Sequence, residues 1–185
     1  MRQGLDSINE RNRNDEPFTA NDVQPYVDFF DRHGEPNDRM LAHYLLGRAY
    51  HEQGEAPMAL QCYQQAIECA DTTVSDCDFS QLSRVYGQMG LLFYDQSLYR
   101  QHLIVCRQAA KFALLGKDTL PALIYYEQQS AAYRELNKQD SAVNIIEDVS
   151  RLYSLYGYKT EKAIALGGIV NTLIRIGEIE KARDY

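Results

Sequence analysis

Between Leu41 and Ala66 apolar side chains return every three or four residues in two blocks. Leu41, Tyr44, Leu45, Leu46 and Tyr50 form the first, and Met58, Ala59, Cys62, Tyr63 and Ala66 the second. That spacing puts the apolar groups on one side of each of two helices. A polar break at residues 53–56 makes the pair a helical hairpin. The pattern then recurs. Tyr50, Phe93, Tyr133 and Leu173 follow one another at offsets of 43, 40 and 40, and Ala59, His102, Ala142 and Ala182 follow at the same offsets. Two independent columns with one spacing define an internal repeat. Further polar breaks occur at 95–98, 136–140 and 176–180. Nowhere is there sustained period-two alternation, so no strands are expected.

The repeat predicts units over residues 36–79, 80–118, 119–157 and 159–185, the last truncated partway through its second helix. The chain therefore reads as an excerpt of a longer protein. Candidate helix starts and stops lie between the units: Asp78 and Ser80, then Gly116 as a stop with Thr119 before Pro121, then Gly157 with Thr160. Ahead of the units, residues 19–33 carry a partial helix over 21–33, with Tyr26, Phe29 and Phe30 as its apolar face. Pro25 is compatible with that helix if it falls in the first turn. Residues 1–18 read as a polar, irregular segment with one loose helix around Leu5 to Ile8.

Gly47, Ala59 and Ala66 are small where two helices must approach, and Tyr50 and Tyr63 are large where space must be filled. Gly54 supplies the turn between them. Through Leu46, Gly47, Tyr50, Gly54, Ala59, Tyr63 and Ala66, the first unit resembles the tetratricopeptide repeat (TPR). The second unit resembles it through Met89, Gly90, Phe93, Cys106 and Ala109, with His102 at a tight alanine position. The third does so through Tyr133, Ala142 and Ile146, with Ser130 and Val149 replacing smaller residues. The fourth keeps Gly177 and Ala182 but has Val170 in the glycine column. The period exceeds the usual TPR length of about 34 residues and enters the HEAT and armadillo range, while the small-residue columns favour TPR. The resemblance implies an all-α fold, a right-handed α-α superhelix of antiparallel hairpins. The stretch from Tyr26 to Glu55 also resembles the TPR segments of Bacteroides-type membrane-linked regulatory proteins.

Charge narrows the partners. Nineteen basic and 26 acidic residues give a formal charge of −7, which repels nucleic acid at long range. No apolar run approaches the ~20 residues of a membrane span, so no membrane contact is expected of this soluble segment. Cys62, Cys69, Cys77 and Cys106 match neither a zinc pattern nor a disulfide scaffold. Cys62 and Cys106 fall at buried helix positions, while a Cys69–Cys77 bridge remains open in an oxidising compartment.

Catalytic motifs are absent. His33, His43, His51 and His102 form no metal pair, and the Asp71, Asp76 and Asp78 loop lacks the glycine and glutamate of an EF-hand, which leaves helix capping as its reading. No cofactor is expected. What the TPR resemblance does imply is a concave groove lined by the first helix of each unit. That helix offers Tyr44, Arg48, His51 and Glu52, then Arg84, Gln88 and Tyr94, then Glu127, Gln128 and Arg134, and finally Asn171. Aromatic area combined with arginine and amide groups suits a protein or peptide partner. Tyr44 and Arg48 stand where a carboxylate clamp needs lysine and asparagine, which argues against chaperone-tail recognition. The expected function is a non-enzymatic interaction module, the sensor or scaffold segment of a bacterial regulatory protein. The alternative is a small-molecule-binding or hydrolytic helical domain with a pocket between hairpins at His102 and Tyr99.

Overall fold

The computed structural model describes residues 1–185 as ten helices and no strands. They are α1 (Arg2–Arg13), α2 (Ala20–His33), α3 (Pro36–Glu52), α4 (Ala56–Cys69), α5 (Phe79–Asp95), α6 (Tyr99–Leu115), α7 (Thr119–Glu135), α8 (Gln139–Tyr156), α9 (Lys159–Arg175) and α10 (Ile179–Arg183). The chain forms two compact halves, Met1–Leu92 and Phe93–Tyr185. No helix is long and apolar enough to cross a membrane.

One backbone device recurs at every hairpin. Gly54, Ser97, Asn137 and Gly177 all adopt left-handed geometry, with φ of 78°, 58°, 55° and 82°. At the first, the Gly54 amide donates to the His51 carbonyl at 2.9 Å and the Glu55 amide donates to the Tyr50 carbonyl at 2.9 Å. These two bonds satisfy carbonyls that the end of α3 would otherwise leave unpaired. Glu55 then accepts from the Ala59 amide, so it closes one helix and opens the next. The same bonds join Leu98 to Phe93 and His102, Lys138 to Tyr133 and Ala142, and Glu178 to Leu173 and Ala182. The turn therefore places the small-residue column one helical turn into each second helix.

Between hairpins the device returns at Lys117 and Gly157, with φ of 63° and 80°. Gly116 stays right-handed, at φ −75°. The expected stop thus moves one residue on: the register of the Lys117 and Asp118 amides, bonded to Leu114 and Ala113, decides the turn rather than the glycine. Before α5, Asp78 caps by accepting from the Gln81 amide at 2.8 Å, and Asn37 braces the loop by bonding Asp76 and Asp78. Asp71 accepts from the Thr73 amide and hydroxyl within the same loop.

The N-terminal 33 residues differ from expectation. The segment read as irregular is a twelve-residue helix, α1, with Leu5 and Ile8 buried. α1 packs against α2 and α3, Asp15 has φ 54°, and the Glu16 amide bonds the Arg11 carbonyl at 2.9 Å. The end of α1 is thus closed by the same amide-to-carbonyl bond as the other turns, and after the four residues 16–19 α2 packs back on α1 as a further, more loosely joined hairpin. Its sequence signal is faint because only two apolar residues anchor α1. Thr19 and Asp22 form a capping box that starts α2 at Ala20, which moves Pro25 to the second turn. Pro25 lies on the exposed face, and Asn21, whose carbonyl loses its helical donor, is exposed as well.

Packing inside the hairpins follows the small-residue logic. Tyr63 is fully buried, and a Cβ at Gly47 would lie 2.5 Å from its ring. Ala59 and Ala66 are also fully buried. In the C-terminal half, Ile146, Val149, Tyr153, Ala165, Ile169 and Leu173 join one cluster across α8 and α9. All four cysteines are free thiols, Cys69 and Cys77 included. Burial pushes the Cys62 thiol up to about 11 and that of Cys106 up to about 12, so both stay protonated at neutral pH.

Replacing Gly47 by alanine is expected to cost roughly 1–3 kcal/mol in urea unfolding, because the Tyr63 ring must shift in a filled core. Ser97→Gly is expected to raise stability by up to about 1 kcal/mol, since a non-glycine residue is strained at positive φ. Under native conditions Cys69, the one thiol that is not buried, should react first with a disulfide reagent, while Cys62, Cys77 and Cys106 wait for unfolding.

Candidate functional site

In the N-terminal half, the first helices of three successive hairpins are joined by one side chain. The Arg48 guanidinium on α3 donates to Asn12 of α1 at 3.0 Å, to Gln88 of α5 at 2.8 Å and to Glu52 at 2.9 Å. Arg2 pairs with Asp38 at the other end of α1. The ten-residue spacing of Arg2 and Asn12 on α1 equals that of Asp38 and Arg48 on α3, so the two helices run parallel and level over about 15 Å. Arg48, Glu52 and Gln88 are thus brought together by hydrogen bonds. Asn12 joins them unforeseen, and the recurrence of Gly4, Gly47 and Gly90 at an offset of 43 is the signal that could have found its helix. A recess of about 190 Å3 opens beside Arg48, walled by Asn12, Asp15, Phe18 and Glu52.

The other expected groove residues of this half behave differently. Tyr44 is 4% exposed and its ring centroid lies 6.2 Å from that of Tyr63. It belongs to the core, because the missing side chain at Gly47 draws the Tyr63 ring in beside it. His51 and Arg84 are partly exposed. His43 is buried, and its Nε2 lies 2.9 Å from Asp31 on α2.

In the C-terminal half, Arg134 on α7 donates to the Thr172 hydroxyl of α9 at 3.3 Å, and its buried Nε has no partner. A recess of about 180 Å3 lies there, walled by Arg134, Asn137, Thr172 and Arg175. Tyr94 packs edge-on against Tyr99 and His102, with centroids 5.5 and 5.3 Å away. Gln128 contributes its backbone, as its carbonyl lies 3.2 Å from His102 Nε2. Asn171 is exposed. Glu127 is half-buried and accepts from the Tyr153 hydroxyl at 2.9 Å. Desolvation raises its carboxyl above the ordinary value, partly offset by that hydrogen bond.

The site proposed around His102 and Tyr99 is closed. His102 is 3% exposed, set against the α7 backbone, with the Cys106 sulfur 3.4 Å from Nε2. An imidazole in this alanine column is used to hold α6 on α7. No three histidine, cysteine, aspartate or glutamate side chains converge as a metal site.

Glu127→Gln gives a signed pH test. A carboxyl whose folded pKa is raised favours folding most below its unfolded pKa, and that advantage is lost as pH rises through the folded value. The glutamine variant should therefore be more stable than the parent at pH 7, with the gap closing as the pH falls toward 4.5, as read by thermal unfolding across pH.

Residues 40–72 match the tetratricopeptide repeat family model. No curated protein matches the chain in sequence. Among solved structures, it is similar to a Podosopora anserina protein described as a kinesin light chain with nearly identical TPR-like repeats. The TM-score is 0.75 at 12% identity, covering 99% of this chain and 89% of that one. It is also similar to aspartyl phosphate phosphatase F from Bacillus subtilis, with a TM-score of 0.74 at 11% identity over 99% of this chain and 46% of the phosphatase. These likenesses are of fold. With the hairpin turns and small-residue columns described above, they identify the chain as a TPR-like α-α repeat array that carries a tetratricopeptide repeat at residues 40–72.

Proposed function

We propose that this chain is a non-enzymatic interaction module that binds a protein or peptide along the inner face of its first helices. The observation that carries the reading is the Arg48 cluster, in which one guanidinium links Asn12, Gln88 and Glu52 beside an open recess. Hydrogen-bonding groups already oriented at a surface can recognise a peptide backbone or polar side chain with little further ordering. Arg134, with an unpaired Nε and a recess of similar size, offers the same chemistry in the other half. Tyr44 is not part of this surface, whereas Asn12 and Arg175 are.

The module serves as the sensor or scaffold segment of a larger bacterial regulatory protein. Support for this role comes from the resemblance of the Tyr26 to Glu55 stretch to membrane-linked regulators, and from the fold shared with a bacterial phosphatase. The expected acidic balance of the surface, at a formal charge of −7, favours protein over nucleic acid as the partner.

The test is a double substitution, Arg48→Ala with Arg134→Ala. Once the partner has been captured with the full-length protein and identified, calorimetry should show its affinity for the double variant reduced by about tenfold or more. Unchanged affinity with an intact fold removes the inner face from consideration.

A further inference from the structure

A separate cavity lies away from the Arg134 recess. It measures about 610 Å3 and opens between α6 and α8, the second helices of two successive hairpins, with α7 as its floor. Both helices pack on α7, and the space left between them is an apolar cleft. The volume is within the range of about 300–1,000 Å3 typical of binding sites.

The cleft has a polar end and an apolar end. At one, Arg107 of α6 donates to the Tyr133 hydroxyl at 3.0 Å and to Gln129 Oε1 at 3.4 Å. Both acceptors are neutral, and Arg107 takes part in none of the ion pairs of the structure. At the other end, Leu114, Leu123, Leu152 and Tyr156 line the walls, with Tyr126 between the two ends.

Two observations select the occupant. First, the apolar surface continues past the cavity onto its rims: Leu114 is 60% exposed, Tyr156 54% and the adjacent Leu155 75%. A small molecule held inside the cleft leaves these rims wet, whereas a helix about 10 Å across covers both. Second, α6 is a basic helix in an acidic protein. It carries Arg100, Arg107 and Lys111 and no aspartate or glutamate. The wall that bears the carboxylate-free arginine is thus complementary to an acidic side chain.

We propose that the cleft between α6 and α8 is a docking groove for an amphipathic helix of a partner protein, which lays its apolar face over Leu123 and Tyr126 and sets an acidic side chain on Arg107. The mode is helix-in-groove recognition, with apolar anchors on one face of the ligand helix and charge fixing its direction. It is independent of the inner face.

The test uses the full chain and two designed helical peptides of about four turns each, with leucine along one face. One is flanked by glutamate on the side that meets α6, and its twin by lysine. The glutamate peptide is expected to bind with a dissociation constant on the order of 10–100 μM, at least about tenfold tighter than the lysine twin. A net charge of −7 alone gives the opposite order. Arg107→Glu should reverse the preference, Ala110→Trp should block both peptides, and amide shifts should map to Leu123, Tyr126 and Gln129. If Ala110→Trp fails to fold, the reversal at the exposed Arg107 still decides.

Equal or tighter binding of the lysine twin overturns the proposal, as does a shift map centred on Arg48 and Gln88. Two other results also overturn it. Dodecanoate producing the cleft footprint while both peptides stay silent assigns the cleft to a lipid. A concentration-dependent mass that Arg107→Glu abolishes assigns it to a second copy of the chain.

Discussion

The left-handed residue at each hairpin turn is the constraint on which the rest depends. A helix ends with unpaired carbonyls, and here the next two amides of the chain fold back to bond them. That is possible only if one residue takes positive φ, as Gly54, Ser97, Asn137 and Gly177 do. The turn is so short that the residue completing the first helix also accepts the first bond of the second. Helix spacing is thereby fixed by the backbone, and side chains need only be small or large at set distances from it. Ala59, His102, Ala142 and Ala182 occupy one such distance, and all four are the first amides bonded by the turn.

Legibility followed from how each feature is encoded. The hairpins of the middle of the chain were readable because apolar spacing and small-residue columns reinforce one another between Leu41 and Tyr153. The turns were only half readable, since the backbone geometry is shared by glycine, serine, asparagine and lysine. Gly116 drew attention while its neighbour Lys117 took the left-handed role. The same tolerance explains why the family model matches residues 40–72, where Gly47, Gly54, Ala59, Tyr63 and Ala66 all keep their usual types. The hairpin of α1 and α2 was hidden because Leu5 and Ile8 are a thin apolar signal, although Gly4 packs against Tyr26 there as Gly47 does against Tyr63.

Of the residues expected on the first helices, Arg48 bonds to Glu52 and Gln88, whereas Tyr44 is buried. Arg48, Glu52 and Gln88 recur on one side of the first helices, and a side chain as long as arginine spans the gap between neighbouring helices. Tyr44 lies on that side by sequence spacing alone, yet the space vacated at Gly47 turns the surface inward at that point. The cleft between α6 and α8 left no trace in the motif, since it arises from what two helices fail to fill.

His102 shows what happens when a packing position is given a polar group. Alanine in this column lets neighbouring helices meet through nonspecific contact, which a slip along the axis disturbs little. An imidazole bonded to the Gln128 carbonyl has one permitted depth and one permitted alignment. At that single level α6 is pinned to α7 like a peg in a drilled hole, so the pair resists sliding and is left to yield, if at all, by hinging about the peg.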